Sequence, residues 1–326
     1  MKAVNIGEFG NIDSVELRDA VRPQPEKGEV LVRVAAFGLN RADLLQVLGK
    51  YPPPPGYSPN MPGLEFAGEV VETDPGVTNV EPGDRVFGIT SGESQAEFLV
   101  SHAELLMPIP ESLSYEQAAA IPEVFITAHD AVVTQCGLSA GETILIHAVG
   151  SGVGLAALQI AKAVGAKTIG TSRTADKLEK CIDLGLDHGI VVGSPAAFAD
   201  QASELANGGA NVILDLVGGS YFEENVRALS MKGRMIVVGL TGGSVSQIDL
   251  GLVLRKRANI RSTFLRARPT DEKAAATAAF AADILPLIAK GAIKPNIDKV
   301  YGADSIVDAY KYLASNESFG KIVVKF

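Results

Sequence analysis

The sequence predicts an α/β protein with a barrel-like antiparallel sheet in one domain and a doubly wound parallel sheet in another. Up to about residue 123, short strand-like runs are broken by turns rich in proline and glycine, such as the turn at 81–84. From about 124 to 263, strand-like and helix-like segments alternate, a pattern typical of a parallel sheet with right-handed crossovers. We therefore expect domains over 1–123 and 124–263, with a last segment, 264–326, that rejoins the first domain.

Hydrophobic periodicity and turn residues predict the individual elements. Residues 30–36 alternate as a half-buried strand does, and strand-like runs follow at 66–72 and 85–89. The second domain has strand-like runs at 144–148, 167–171, 190–192, 212–216 and 235–239, with helical stretches between them. A helix-like stretch at 271–289 precedes strand signals near 298–301 and 322–326. With 326 residues and 47% apolar content, the chain can bury a sizeable core in two domains.

The most informative segment is residues 144–173, ILIHAVGSGVGLAALQIAKAVGAKTIGTSR, which predicts a strand, a glycine-rich turn, a helix and a second strand. Missing side chains in the turn let the backbone approach a pyrophosphate at the positive end of the helix. The strict glycine pattern can be set in two registers, and both lead to the same phosphate site. The candidate pyrophosphate contacts are Gly150, Ser151, Gly152 and Val153.

The end of the second strand indicates which nicotinamide cofactor is preferred. A fold of this kind that selects NADH places an acid there to bind the ribose 2′-hydroxyl group. This chain has Thr171-Ser172-Arg173 instead. Hydroxyl groups and a guanidinium would bind a 2′-phosphate, which a carboxylate would repel, so the sequence predicts NADPH.

Composition and charge exclude several other classes of protein. The formal net charge of −9 is unfavourable for binding nucleic acid or anionic membranes, and no apolar run reaches the length of a membrane span. The only two cysteines, Cys136 and Cys181, lack the spacing of a disulfide framework or a metal site. Because the first residues lead into a strand and lack the pattern of a signal peptide, we expect a cytoplasmic protein.

Several segments resemble the zinc-free quinone oxidoreductases of the medium-chain dehydrogenase/reductase superfamily. The matching segments are NRADLLQVLGKYPPPPG at 40–56, PGLEFAGEV at 62–70, AAAIPEVFITA at 118–128, ILDLVGGSYFEENV at 213–226 and GKIVVKF at 320–326. The resemblance implies a GroES-like catalytic domain interrupted by a Rossmann domain, and hydride transfer from NADPH to a quinone. It also implies a homodimer formed through the last strand of the cofactor domain, expected at 258–265. In the competing interpretation, Arg261 and Arg266 keep that edge solvated and the protein monomeric.

Zinc-containing members of this superfamily carry Gly-His-Glu at the position of Gly63-Leu64-Glu65, together with four closely spaced cysteines. This chain has Leu64 at that position, and its four histidines lie on separate segments. A zinc site needs several ligands within reach of one point, so we expect no metal. For each histidine we expect a role in packing or surface polarity. If one of them faces the cofactor, it is His147, because it ends the first strand of the cofactor domain.

The resemblance also implies roles for individual residues. In similar proteins an asparagine and a threonine at the positions of Asn40 and Thr127 contact the nicotinamide, in a cleft between the domains. The amide and hydroxyl groups suit the carboxamide of that ring. Further cofactor contacts are implied for Lys177 beside Arg173 and for the backbone at Gly239, Leu240, Phe264 and Leu265. For Asn40, the competing interpretation is a turn residue that satisfies its own backbone.

One departure from the family lies after the third strand of the cofactor domain. Relatives have an Asn-Tyr pair near the adenosine phosphate, whereas this chain reads Ile-Val-Val-Gly-Ser at 190–194. A missing phenol there would weaken the hold on a 2′-phosphate. We therefore expect a less strict preference for NADPH than in those relatives.

No acid–base pair stands out in the sequence as a proton source for quinone reduction. Tyr51 matches a tyrosine of relatives and is a candidate proton relay, while Asp43 lies one helical turn from Asn40; each could equally be a structural residue. We expect positioning and cofactor chemistry to dominate, with water as the eventual proton source. Reduction of activated carbon–carbon double bonds, as in alkenal or enoyl-thioester reductases, is the alternative activity. The adjacent charges at 255–257 would favour a thioester tail unless they are merely solvated. A cofactor-binding protein with vestigial activity is the third hypothesis.

Overall fold

The computed structural model describes all residues from 1 to 326 and divides them into two units. The first unit comprises Met1–Ile126 and Leu265–Phe326, and the second comprises Thr127–Phe264. No helix is both long and apolar enough to cross a membrane.

The first stretch of the first unit contains mainly strands. These are β1 (Lys2–Ile6), β2 (Val15–Asp19), β3 (Glu29–Leu39), β4 (Glu65–Thr73), β5 (Arg85–Ile89), β6 (Phe98–His102) and β7 (Leu106–Pro108). Three helices interrupt or follow them: α1 (Arg41–Val47), α2 (Tyr115–Ala119) and α3 (Pro122–His129). Helix α3 continues into the second unit, where a π-helical turn at Asp130–Gln135 follows it.

The second unit alternates strands and helices, as the sequence predicts. Its elements are β8 (Thr143–Ile146), α4 (Gly152–Val164), β9 (Lys167–Ser172), α5 (Ala175–Asp183), β10 (His188–Val191), α6 (Ala199–Leu205), β11 (Ala210–Asp215), α7 (Phe222–Ala228), β12 (Leu229–Val237), α8 (Leu250–Lys256) and β13 (Asn259–Ser262). The strands form one parallel sheet in the order β10-β9-β8-β11-β12-β13. The predicted doubly wound Rossmann sheet is thereby confirmed, with all four residues of β8 buried at its centre.

The chain then returns to the first unit. It forms α9 (Thr270–Asp283), α10 (Leu285–Ala289), β14 (Ile297–Gly302), α11 (Ile306–Ser315) and β15 (Lys321–Lys325). The helix predicted at 271–289 is thus two helices. Pro286 explains the break, because it has no backbone N–H to donate to a carbonyl of the preceding turn.

The larger sheet of the first unit has the strand order β14-β15-β3-β4-β5-β7, and β6 also pairs with β3. The antiparallel pairing predicted for residues 1–123 is confirmed, because β1–β2, β3–β4, β3–β6, β4–β5 and β5–β7 are all antiparallel. The last segment adds one parallel pair, β14 and β15. Helix α11 connects these two strands, and a crossover connection of this kind produces a parallel pair. Strand β15 pairs with β3 in an antiparallel register that places Ile322 opposite Leu39.

Candidate functional site

The glycine-rich turn of the second unit forms a tight junction between β8 and α4. Ser151 caps α4, and its Oγ accepts a hydrogen bond of 3.2 Å from the backbone N–H of Gly154. A β-carbon at Gly154 would lie only 2.5 Å from the carbonyl oxygen of Ala148 and 2.6 Å from that of Val149. The helix can therefore approach the turn this closely only with glycine at 154, and its positive end then suits a pyrophosphate.

The residues predicted to bind this phosphate lie at that junction. Gly150 precedes the cap, and Gly152 and Val153 are the first residues of α4. Because α4 has thirteen residues, its aligned peptide dipoles favour an anion at this end. The geometry of the chain's own residues thus fits a dinucleotide.

The residues after β9 are arranged differently from what the sequence suggested. Ser172 ends the strand, Arg173 is exposed, and Lys177 lies half-buried in the first turns of α5. Thr171, by contrast, is fully buried, and its Oγ1 lies 2.9 Å from Nδ1 of His147. The Thr171 hydroxyl therefore faces the interior, and Ser172 and Arg173 remain as the candidate contacts with a 2′-phosphate.

The structure supports the packing interpretation for His147, because its ring is fully buried. Its Nε2 lies 2.5 Å from Oδ1 of Asn225, whose Nδ2 donates to Asp215 at 3.0 Å. The rings of Phe198 and Tyr221 pack edge-on against it, each with its centroid 4.9 Å away. Burial lowers the pKa of His147, which leaves the imidazole neutral at neutral pH. We interpret His147 as a structural link between the ends of β8, β9 and β11.

The three adjacent charges at 255–257 do not form an open basic patch. Lys256 donates from Nζ to the carbonyl oxygen of Arg227, at 2.5 Å, and to that of Leu229. Arg255 pairs with Asp249 at 3.4 Å. Lys256 thus satisfies carbonyl groups at the end of α7, a structural role that the sequence did not reveal.

In the first unit, Asn40 belongs to a buried polar cluster, defined here as Asn40, Asp43, Glu65, Arg266, Lys273 and Lys321. The Lys321 ammonium donates to Leu39 O at 2.9 Å, to Asn40 Oδ1 at 2.7 Å and to Glu65 Oε1 at 2.5 Å. Asn40 Nδ2 donates to the same Glu65 oxygen at 2.8 Å. These bonds fix the Asn40 amide and leave one of its hydrogens for a ligand.

The close approach of Glu65 depends on glycine in the neighbouring strand. A β-carbon at Gly38 would overlap Glu65 Oε1 and would lie 2.7 Å from the carbonyl oxygen of Ala119. Strand β3 therefore needs glycine at this position to leave room for the carboxylate.

Asp43 stabilises the start of α1. Its Oδ2 accepts the backbone N–H of Asn40 at 2.8 Å, and its Oδ1 accepts that of Gly63 at 3.1 Å. Burial raises the pKa of Asp43 to about 6. Both carboxylate oxygens of Asp43 thus accept hydrogen bonds from backbone N–H groups, and Asp43 fixes the backbone of Asn40 at the start of α1.

Arg266 organises the segment that carries Tyr51. Its Nε donates to Ser91 O at 2.8 Å, its Nη1 donates to Tyr51 O at 3.1 Å, and its Nη2 donates to Gln46. The guanidinium also lies 5.1 Å from the centroid of the Tyr51 ring. Burial raises the pKa of the half-buried Tyr51, so its phenol keeps its proton at neutral pH.

Sequence reasoning missed Glu65, Lys321, Arg266 and Lys273 as parts of one cluster. A signal was present for two of them: Glu65 and Lys321 each lie beside a strongly apolar run, and a charge in such a run is buried only when it is paired.

The other predicted cofactor contacts are divided between the units. Thr127 is buried in α3, at the start of the second unit. Gly239 and Leu240 follow β12, with Leu240 exposed. Phe264 is exposed at the end of the second unit, and Leu265 is buried at the return to the first.

The residues do not fit a zinc ion. No group of three or more His, Cys, Asp and Glu side chains could hold a metal. Leu64 is buried where zinc-containing relatives have a histidine. Next to it, oxygens of Asn40 and Glu65 already bind an ammonium group, and such a set lacks the nitrogen and sulfur ligands that zinc prefers.

Comparison with known proteins agrees with this geometry. Family profiles match over residues 26–133, described as the alcohol dehydrogenase GroES-like domain, and over 152–282, described as zinc-binding dehydrogenase. Quinone oxidoreductase-like protein 2 of Mus musculus is 32% identical over 93% of this chain and 87% of its own length. A mycobacterial protein solved in complex with NADPH has a TM-score of 0.88 at 26% identity, covering 100% of both chains. CurK enoyl reductase has a TM-score of 0.84 at 25% identity, covering 99% of this chain and 98% of its own. The chain therefore belongs to the medium-chain dehydrogenase/reductase superfamily and is an oxidoreductase of that superfamily.

Proposed function

We propose that this protein is a cytoplasmic NADPH:quinone oxidoreductase that works without zinc. The observation that carries the choice of cofactor is the exposed Arg173 directly after β9, with Ser172 beside it and no carboxylate at that position. The quinone is supported by the likeness to quinone oxidoreductase-like protein 2. Independence from zinc is supported by the Lys321 ammonium, which binds the oxygens of Asn40 and Glu65.

The nicotinamide, when bound, supplies a hydride to the acceptor. In this proposal the remaining amide hydrogen of Asn40 binds its carboxamide and so selects the face of the ring. Glu65 and Lys321 keep the Asn40 amide in one orientation. Tyr51, which burial keeps protonated, donates a hydrogen bond to the acceptor oxygen.

The experiment is an assay of NADPH oxidation with a panel of quinones and alkenals. We expect turnover with quinones and a lower kcat/KM with NADH than with NADPH. Turnover with alkenals alone would favour the alternative activity, reduction of activated double bonds, which the likeness to CurK enoyl reductase supports. Cofactor binding without turnover of any acceptor would favour a binding protein with vestigial activity.

A second prediction concerns metal. We expect activity to persist after exhaustive treatment with a chelator, because the cation in the cluster is the Lys321 ammonium. Elemental analysis before and after treatment checks this. One zinc ion per chain, lost together with the activity, would contradict the prediction.

A third prediction concerns self-association. Strand β13 pairs only with β12 and is the edge of its sheet. Unpaired backbone groups on an edge can pair with a second copy, so we propose a homodimer that joins two sheets. Light scattering at micromolar concentration should give the mass of two chains. Ile260→Pro should reduce that mass to one chain, since proline removes a backbone donor.

The matched control is Ile260→Val, which keeps the backbone N–H and should keep the dimer. Circular dichroism verifies that the proline variant is folded. A wild-type mass of one chain would reject the dimer. Arg261 lies on this edge strand. Its side chain donates hydrogen bonds to Asn259 and to the carbonyl oxygen of Gln135, both in its own unit.

A further inference from the structure

Every charged side chain of the buried polar cluster forms hydrogen bonds within the protein. Lys321 and Glu65 bind each other and Asn40, Asp43 accepts two backbone N–H groups, and Arg266 binds three acceptors. Lys273 donates to Ser91 Oγ at 2.6 Å. Each of these charged side chains therefore has at least one hydrogen-bond partner within the protein.

Glu123 lies next to the cluster but is not held in this way. It is the second residue of α3, and its backbone N–H donates to Glu65 Oε2 at 2.9 Å. Its side chain remains partly exposed, and no hydrogen bond or salt bridge of its carboxyl group is present. The Glu123 carboxyl group therefore lacks the hydrogen-bond partners that hold the charged groups of the cluster.

The surroundings keep a proton on Glu123 at neutral pH. Burial among protein atoms, and next the charge of Glu65, raise the pKa of Glu123 to about 8. The charged and titratable groups that act on it are Asp43, Glu65, Arg266, Lys273, Lys321 and Tyr51. Lys321 and Asn40 donate to Glu65, whereas neither donates to Glu123.

We propose that Glu123 is the proton donor of the reduction, which supplies the proton that the acceptor needs once it has received the hydride. The proposal rests on the proposed function. It adds a proton donor that sequence analysis could not identify, beside the Glu65 carboxyl group that Lys321 holds in place. Thr127, a proposed nicotinamide contact, follows Glu123 by four residues in the same helix and so projects from the same face.

The chemistry balances. The hydride carries two electrons to the quinone and produces a hydroquinone monoanion. The O–H bond of Glu123 then breaks while a new O–H bond forms on the acceptor oxyanion, leaving hydroquinone and a Glu123 carboxylate. Water at the exposed part of Glu123 returns a proton before the next turnover.

The test compares the wild type with Glu123→Gln, Glu123→Asp and the control Glu116→Gln, which changes a carboxyl group outside the cluster in α2. With saturating NADPH and one quinone, wild-type kcat should fall as pH rises through about 8, because the acid form is required. Glu123→Gln should lower kcat by on the order of 10²-fold and remove that pH dependence, with NADPH binding by fluorescence unchanged. Glu123→Asp should keep a pH-dependent activity, and Glu116→Gln should behave as the wild type.

A second measurement does not require turnover. Because the folded protein holds the Glu123 proton to about pH 8, the wild type should lose stability relative to Glu123→Gln as pH rises from about 4.5 to 8. If this pH dependence of stability were observed but no acceptor were reduced, the proposed function would be rejected. The conclusion that Glu123 carries a proton at neutral pH would still hold. A Glu123→Gln variant with wild-type kcat, or with reduced kcat and an unchanged pH dependence, would overturn the role as donor.

Discussion

Replacing Lys321 by methionine is expected to lower the free energy of unfolding by about 3–5 kcal/mol, the range for leaving one partner of a buried ion pair alone. Glu65 is fully buried and Lys321 is only 4% exposed. Without the ammonium, Glu65 would keep a charge in the interior with only the Asn40 amide and the Glu123 N–H as partners. Methionine has a similar length, so loss of packing is a minor part of the effect.

Urea denaturation measures this loss. The matched control is Lys325→Met in the same strand, where the side chain is exposed and the expected change is within about 0.5 kcal/mol. The double variant Glu65→Gln/Lys321→Met should recover part of the stability, because no unpaired charge then remains buried. A loss in Lys321→Met no larger than in Lys325→Met would show that the pair contributes no stability.

Replacing Arg173 by aspartate should weaken the binding of NADPH by about 1.5–3 kcal/mol, the range for hydrogen bonds to charged groups. This corresponds to roughly 10- to 150-fold in Kd. Arg173 is exposed directly after β9, so its guanidinium can reach a 2′-phosphate without rearrangement of the fold. NADH lacks that phosphate, so its affinity should change little.

Fluorescence titration with both cofactors tests this selectivity. The control is Lys167→Asp, which makes the same change of charge at the other end of the same strand. It should leave both affinities nearly unchanged. If Arg173→Asp weakened NADPH and NADH equally, Arg173 would not be a contact of the 2′-phosphate.

The second unit could be predicted well from the sequence because its signals are local. The strand, glycine-rich turn and helix at 144–164 lie within one contiguous segment, and a 3.6-residue period or a buried apolar run is visible in any such window. The glycine requirement at Gly154 has a partner only five or six residues away, at Ala148 and Val149. Patterns over such short sequence separations can be recognised without knowledge of the tertiary structure.

The role of His147 could not be predicted in this way. Its position at the end of β8 suggested a contact with the cofactor, but Asn225, Phe198 and Tyr221 enclose the ring. These residues come from segments 50 or more positions further along the chain. Only packing across the parallel sheet determines which side of the strand end the imidazole occupies.

The sequence by itself determined the alternation of strands and helices, the phosphate-binding turn and the absence of an acid after β9. The tertiary structure alone decided the buried polar cluster and the place of Glu123 beside it. Glu65 is 25 residues from Asn40 and 256 residues from Lys321. The three meet because β4 and β15 both pair with β3, with Ala67 opposite Ala36 and Ile322 opposite Leu39. No periodicity in a linear sequence encodes that register, because it results from burying the faces of strands that are distant in the chain.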